Sequence, residues 1–164
     1  MNRLAYRNFG GYESLVTTHA VTATGTDALS AIRWYEIRTP GTTPTVYQAD
    51  TWEPDNISRW MGSMAMDQAG DIAVGYSESS PTQYPAIAYT GRLSTDPLDT
   101  LESENLIIQG TGNQVFNNQW GGYTSLTIDP VDDCTFWYTN QYYAQQGSKI
   151  WNTRIASFSF TSCP

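Results

Sequence analysis

A repeat of about sixty residues constrains this chain more than any other feature. Gln48 recurs as Gln109, Trp60 as Trp120, and Asp67 as Asp129. Such self-similarity means one supersecondary unit used several times, each unit hiding its apolar face against the next. The 164 residues hold about three units of that size. Three segments carry the alignment. Phe9-Gly10-Gly11-Tyr12-Glu13-Ser14-Leu15 matches Trp120-Gly121-Gly122-Tyr123-Thr124-Ser125-Leu126 without a gap. Trp60-Met61-Gly62-Ser63-Met64 is a shortened form of the same pattern.

Each segment runs into residues that alternate in polarity, such as Ser63-Met64-Ala65-Met66-Asp67 and Ser125-Leu126-Thr127-Ile128-Asp129. Period-two alternation is the signature of a half-buried strand. A tight turn follows at Asp67-Gln68-Ala69-Gly70-Asp71, where Gly70 supplies the positive φ a hairpin requires. Asp129-Pro130-Val131-Asp132-Asp133 plays the same part in the third repeat, and the fixed φ of Pro130 suits a turn. Second strands then read at Ile72–Ser77 and Cys134–Thr139. Third strands end in arginine, at Ile32–Arg38, Ala86–Arg92 and Lys149–Arg154, and these arginines are expected to bridge neighbouring units. Outer strands read at Thr45–Gln48, Leu106–Gln109 and Ile155–Phe160. The first repeat is the least regular, and its first hairpin is expected between Leu15 and Ala28 with Gly25 in the turn. Loops 39–44 and 94–104 read as exposed connections. No amphipathic helix is legible.

Four antiparallel strands per repeat make a propeller blade. The expected fold class is therefore all-β: a single domain over 1–164, with blades at about 13–50, 60–112 and 120–162. Three blades form an arc, so a homodimer giving a six-bladed ring is expected. Residues Arg3–Arg7 read as an orphan outer strand that would latch onto a partner's last blade.

Composition excludes several classes of partner. The net charge is −8, and a single lysine, Lys149, stands beside seven arginines with no basic cluster. Phosphate backbones and anionic membranes are held by clustered Lys and Arg, so neither nucleic acid nor a membrane surface is an expected partner. No apolar run approaches the ~20 residues that span a bilayer. Residues 1–20 lack the apolar core of a signal peptide, so the chain reads as a piece of a longer protein or as a mature form. Cys134 and Cys163 are the only cysteines. The composition suggests a secreted or periplasmic protein, where disulfides persist. A Cys134–Cys163 bridge is expected, closing a loop worth ~3–4 kcal/mol on the chain-entropy account. The alternative is two buried free thiols. Two cysteines and the sole histidine, His19, make no metal set. Asp129, Asp132 and Asp133 offer hard oxygen ligands of the kind calcium takes, but they lack the glycine-spaced pattern of a dedicated calcium loop. No cofactor motif is present, so none is expected.

The motifs Ser58-Arg59-Trp60-Met61-Gly62-Ser63, Ala73-Val74-Gly75-Tyr76-Ser77 and Cys134-Thr135-Phe136-Trp137-Tyr138-Thr139-Asn140 resemble repeats of large secreted bacterial proteins. Those repeats are similar to sialidase-like, Asp-box β-propellers. The resemblance covers nearly the whole chain and implies a propeller. It implies little about activity, since propellers host many unrelated functions. The three arginines, the acid and the Tyr–Glu pair of a sialidase do not map residue by residue. The Asp-box itself is only loosely echoed at Asp67–Asp71.

Candidate site residues divide by whether they follow the repeat. Trp60 and Trp120 open their repeats, as Phe9 does, and either wedge between blades or stack on a sugar ring; packing is the favoured reading because aromatics carry so much apolar burial. Tyr12 and Tyr123 are expected to face a ligand. Asp67 and Asp129 are a candidate acid and nucleophile for glycoside hydrolysis, if ~5–5.5 Å or ~6.5–9.5 Å apart. Their periodicity favours a turn role, in which Asp accepts backbone N–H bonds. Residues that break the repeat are better functional candidates: Arg59 stands where the next repeat has Gln119, Glu13 where the others have Gly62 or Thr124, His19 is the sole histidine, and Asp55 lies with Glu53 in the loop leading to Arg59. A Glu13–His19–Asp55–Arg59 cluster at the channel mouth is one expectation; a solvated loop with a local ion pair is the other. The expected catalytic candidates are thus Glu13, Asp55, Asp67 and Asp129, and the ligand-binding candidates Tyr12, His19, Arg59, Trp60, Trp120 and Tyr123. The expected function is a secreted module that recognises carbohydrate or another polar extracellular ligand. The alternatives are a sialidase-like glycoside hydrolase and a structural part of a larger propeller.

Overall fold

The computed structural model describes residues 4–26, 28–39, 41–116 and 120–163. Among them there is no helix, and every sheet is antiparallel. Sheet one is β1 (Leu4–Asn8), β2 (Glu13–Thr22), β3 (Ser30–Thr39) and β4 (Thr45–Trp52), in that order. Sheet two is β5 (Ser58–Met66), β6 (Ile72–Ser80), β7 (Gln83–Arg92) and β8 (Asn105–Gln109). Sheet three is β9 (Ser125–Ile128), β10 (Phe136–Tyr142) and β11 (Asn152–Phe158). Strands adjacent in sequence are adjacent in space, so each sheet is a simple meander of the blade type.

The sheets stack face to face, with sheet two in the middle. One side of sheet two presents Met64, Met66, Ile72, Val74, Tyr76 and Ala88 to Val16, Ile32 and Trp34 of sheet one. Its other side presents Ala65, Ala73 and Ile87 to Leu126, Phe136 and Tyr138 of sheet three. Period-two alternation explains the division: along β6 the large residues at 72, 74 and 76 face one way and Ala73, Gly75 and Ser77 the other. The small side is matched to an aromatic set. Phe136 and Phe158 stack at 5.4 Å, and Phe160 meets Phe136 edge-on at 5.4 Å. Tyr138 lies over Gly75, where a Cβ would sit 2.5 Å from its ring, and Phe160 crowds Gly91 in the same way.

Several expectations need correction. Residues 4–8 are not an orphan strand: they pair with β2 in register Leu4↔Thr17 to Asn8↔Glu13. The Gly10-Gly11 turn, with Gly10 at φ 79°, makes that hairpin the local solution. Arg3 lies outside the described residues. The first sheet therefore spans Leu4–Trp52, and its leading hairpin is β1–β2 instead of Leu15–Ala28. Gly25 does sit in the β2–β3 connection. Sheet three has three strands, because Arg154 and Ile155 lie in one continuous β11 with no turn between them. The β9–β10 turn is longer than the β5–β6 turn. Asp67 N–H reaches Asp71 O, whereas Asp129 N–H reaches Thr135 O, so Ile72 corresponds to Phe136, not to Cys134. Loop 94–104 is not a free connection. Leu101 packs on the core, and the Asp99 carboxylate accepts the Ala49 amide of β4. Among the described residues the arginines ending the third strands do not bridge sheets: Arg38 pairs with Glu36 beside it, Arg92 donates to the Asp96 and Pro97 carbonyls, and Arg154 is exposed.

Cys134 and Cys163 form a disulfide that ties the C-terminal turn to the start of β10. Thiol titration of the denatured, unreduced protein is expected to find none, and two titratable thiols would refute the bridge. Gly75→Ala is expected to destabilise by about 1–3 kcal/mol through overpacking against Tyr138, lowering Tm by about 3–10 °C. Gly122→Ala is the control, since nothing lies within 4 Å of its Cβ position. Equal melting of the two variants would show that the Tyr138–Gly75 contact does not limit packing.

Candidate functional site

The inward alternation of β6 runs Ile72, Val74, Tyr76 and then Glu78, so the last inward residue is a carboxylate. Opposite it on β5, in direct register, stands Arg59. The Arg59 guanidinium is only 1% exposed and has three acidic neighbours. Its Nη1 donates to Asp55 Oδ1 at 2.8 Å and to the Ile57 carbonyl at 3.0 Å. Its Nε donates to Glu104 Oε2 at 2.8 Å, and Nη2 reaches Glu104 Oε1 at 3.2 Å. Glu78 is more distant, with Oε2 at 3.9 Å. Tyr76 O–H donates to Glu104 Oε2 at 2.5 Å and accepts Trp52 Nε1–H at 2.8 Å. Glu104 arrives on the β7–β8 loop, which is held to β7 by Thr90 Oγ1–H to Glu102 O at 2.6 Å.

One guanidinium cannot neutralise three carboxylates, and the proton balance shows it. Burial pushes Glu78 up to about 7, and the nearby Glu104 charge adds to the shift. Burial would raise Glu104 as well, but the hydrogen bonds from Arg59 and Tyr76 outweigh it and hold Glu104 low. The Arg59 hydrogen bonds keep Asp55 below its ordinary value. Arg59, Tyr76 and Glu78 are 1%, 0% and 3% exposed, so no substrate reaches them. The cluster is an ion-pair network tying β5, β6, the β4–β5 link and the β7–β8 loop.

An open cleft lies beside it. Gln83 Nε2 donates to Glu78 Oε1 at 2.7 Å and also lines a cavity of about 530 Å³. Ser79–Pro85 and Asn113 form its walls. The β6–β7 turn folds tightly, with Ser80 opposite Gln83 and Pro81-Thr82 between them. Pro81 is pre-set for that position. Tyr84 is 51% exposed there. The lining thus offers hydroxyls, amides and one aromatic face, with no carboxylate and no base.

The other candidates are dispersed. Of the expected Glu13–His19–Asp55–Arg59 cluster, only Asp55 and Arg59 meet. Glu13 accepts Tyr6 O–H at 2.8 Å, at the start of β2. The opposite end of β2 is the one that approaches Ser58. His19 stacks on Tyr35 at 5.8 Å on the outer face of sheet one. Asp67 and Asp129 are turn residues: Asp67 Oδ1 accepts the Ala69 and Asp71 amides at 2.9 Å, and Asp129 Oδ1 accepts the Val131 amide at 2.8 Å. The two turns touch, with Gln68 N–H on Asp133 O. Trp60 and Trp120 meet edge-to-face at 6.1 Å, and Trp120 meets buried Tyr143 at 5.2 Å, so both wedge between sheets two and three. Tyr12 is capped by the Arg38 guanidinium at 4.2 Å, while Tyr123 is 87% exposed. Gln119, the expected counterpart of Arg59, lies outside the described residues. Among the described residues no three His, Cys, Asp or Glu side chains converge as metal ligands. Sequence reasoning missed Glu78, Glu104, Tyr76, Gln83 and Tyr84. Carrying the β6 alternation one step further would have found Glu78, whereas no local signal marks Glu104.

The chain matches no protein-family model, no curated protein and no solved structure.

The pH dependence of stability follows from these groups. Glu78, and Asp67 (pushed by burial to about 6), hold protons in the fold at a pH where the unfolded chain has released them. The folded state binds more protons, so stability falls as pH rises through this window. Asp55 and Asp133 are shifted the other way by Arg59 and Arg7, so stability is also lost in strong acid. Tm is expected to peak near about pH 5 and decline towards pH 8. Glu78→Gln should flatten the decline, and a Tm independent of pH between those limits would contradict the assignment.

Proposed function

We propose that the chain is a secreted carbohydrate-binding module built from consecutive propeller blades, with the glycan held in the Ser79–Pro85 cleft. The observation that carries the reading is the chemistry of that cleft. Sugars are bound by hydroxyl and amide hydrogen bonds together with an aromatic face, in concavities of roughly 300–1,000 Å³. Ser79, Ser80, Thr82, Gln83 and Asn113 supply the polar groups, and Tyr84 supplies the face. The propeller reading is supported by three meanders stacked face to face, which is how blades pack. The disulfide is compatible with an oxidising compartment. Hydrolysis is less well supported than binding. Hydrolysis needs a free pair of carboxylates, and Asp67, Asp129 and Asp55 are engaged in turns or on Arg59.

The test is binding to a panel of soluble polysaccharides and arrayed glycans, followed by calorimetry on the best ligand. Tyr84→Ala is expected to weaken binding about tenfold, equivalent to ~1.4 kcal/mol, without lowering Tm. Chromogenic glycosides are expected to show no turnover. Retention of full affinity in Tyr84→Ala, or no glycan bound at all, would remove the proposal.

A further inference from the structure

We infer that two copies of the chain associate head to tail, the outer face of sheet one in each copy covering the outer face of sheet three in the other. The cleft plays no part in this inference, so the two proposals fail independently.

The first observation is the periodicity of the stack. Sheet two is covered on both faces and contributes to both apolar clusters. Among the described residues, sheets one and three repeat the same meander but have a partner sheet on one face only. The outer face of sheet one is apolar: Leu4, Tyr6 and Val46 are 54%, 57% and 61% exposed. A shallow groove of about 610 Å³ runs across it between Thr17, His19, Tyr35, Ile37 and Val46. The outer face of sheet three carries Trp137 and Ile155, 43% and 64% exposed and two rows apart in the β10–β11 register. Trp137 Nε1–H is already bonded to Asp129 Oδ2 at 3.0 Å, so its ring brings no unsatisfied donor to a partner.

The second observation is where the charge is missing. The chain has 16 acidic residues and a net charge of −8. Along the outward positions of the described strands, neither outer face carries an Asp or Glu between its margins. The margins are marked by Glu13 on sheet one and Asp129 on sheet three. Faces destined for water in so acidic a chain would share its carboxylates, whereas faces that meet each other must exclude like charge. Among the described residues the basic groups well inside are His19 and Arg33, and the Arg33 guanidinium lies over Tyr35 and donates to Thr51.

The third argument is area. The smaller of the two faces, sheet three, has strands of four, seven and seven residues and covers about 290 Å² at ~4.8 Å between strands and ~3.3 Å per residue. One such contact buries about 600 Å² over both partners, too little for a specific interface by itself. A closed pair makes the contact twice and buries about 1,100 Å², at the lower edge of a specific interface. The two faces differ, so the contact is heterologous, and closure at two copies avoids open-ended growth. The six sheets that result lie within the usual range for a closed propeller.

Sedimentation velocity on the full chain at micromolar concentration tests the idea. Val46→Glu and Ile155→Glu place a carboxylate on each face, at exposed positions that fold without it. The wild type is expected to run at twice the chain mass, and each variant at the chain mass with wild-type circular dichroism. An equimolar mixture of the two variants keeps one intact face from each, so it is expected to regain a 1:1 dimer of lower affinity. A monomeric wild type would overturn the inference. So would a dimer broken by Val46→Glu alone, which would mean self-pairing of sheet one, or a dimer that neither variant disturbs.

Discussion

The middle sheet is the constraint on which the rest depends. Sheet two must bury both of its faces, and it does so asymmetrically, with bulky residues on one side and Ala65, Ala73 and Gly75 on the other. Interiors pack at crystal-like density, so a flat, small-residue face demands large partners. Sheet three answers with Phe136, Tyr138, Phe158 and Phe160, and sheet one meets the bulky side with Val16, Ile32 and fully buried Trp34. The order of the stack follows from this size matching. Exchanging sheets one and three would leave voids on one side and clashes on the other.

Electrostatics then fixes what packing leaves loose. The Arg59 network gathers a strand start, a strand end, a link and a loop around one guanidinium. Buried ion pairs of this kind are weak sources of net stability, because desolvation offsets most of the attraction. Their effect here is positional. Glu104 holds the end of the β7–β8 loop, and Gln83 on Glu78 fixes the wall of the neighbouring cleft. At the opposite end of the β5 strand, Arg7 does the same for β1. It makes a bidentate pair with Asp133 and donates to the Met66 carbonyl at 3.0 Å.

The repeat is a record of structure more than of chemistry. Asp67 and Asp129 recur because two adjacent turns each need an acceptor for the amide two residues on. Ser63 and Leu126 show the same logic between units, Ser63 Oγ accepting the Leu126 amide at 2.9 Å. The residues with chemical variety, Glu78 and the Ser79–Pro85 hairpin, belong to one unit only.

The alternation of polar and apolar residues determined the all-β class, the meander within each sheet and most strand positions, because side chains on a strand have only two sides to choose between. The sixty-residue repeat pointed to the turn role of Asp67, and aromatic bulk to the wedge role of Trp60 and Trp120. What these left open required distances along the chain to become distances in space. A hairpin needs its partner to be near, so the glycines at 10 and 11 turned residues 4–8 back onto β2. Glu104 meets Arg59 across 45 positions only because the β7–β8 loop folds over β7. Glu13, His19 and Asp55 look alike as unmatched polar residues in the sequence. Tertiary structure separates them: Glu13 starts β2, His19 lies six residues, about 20 Å, further along the same strand, and Asp55 sits on Arg59 beyond its far end.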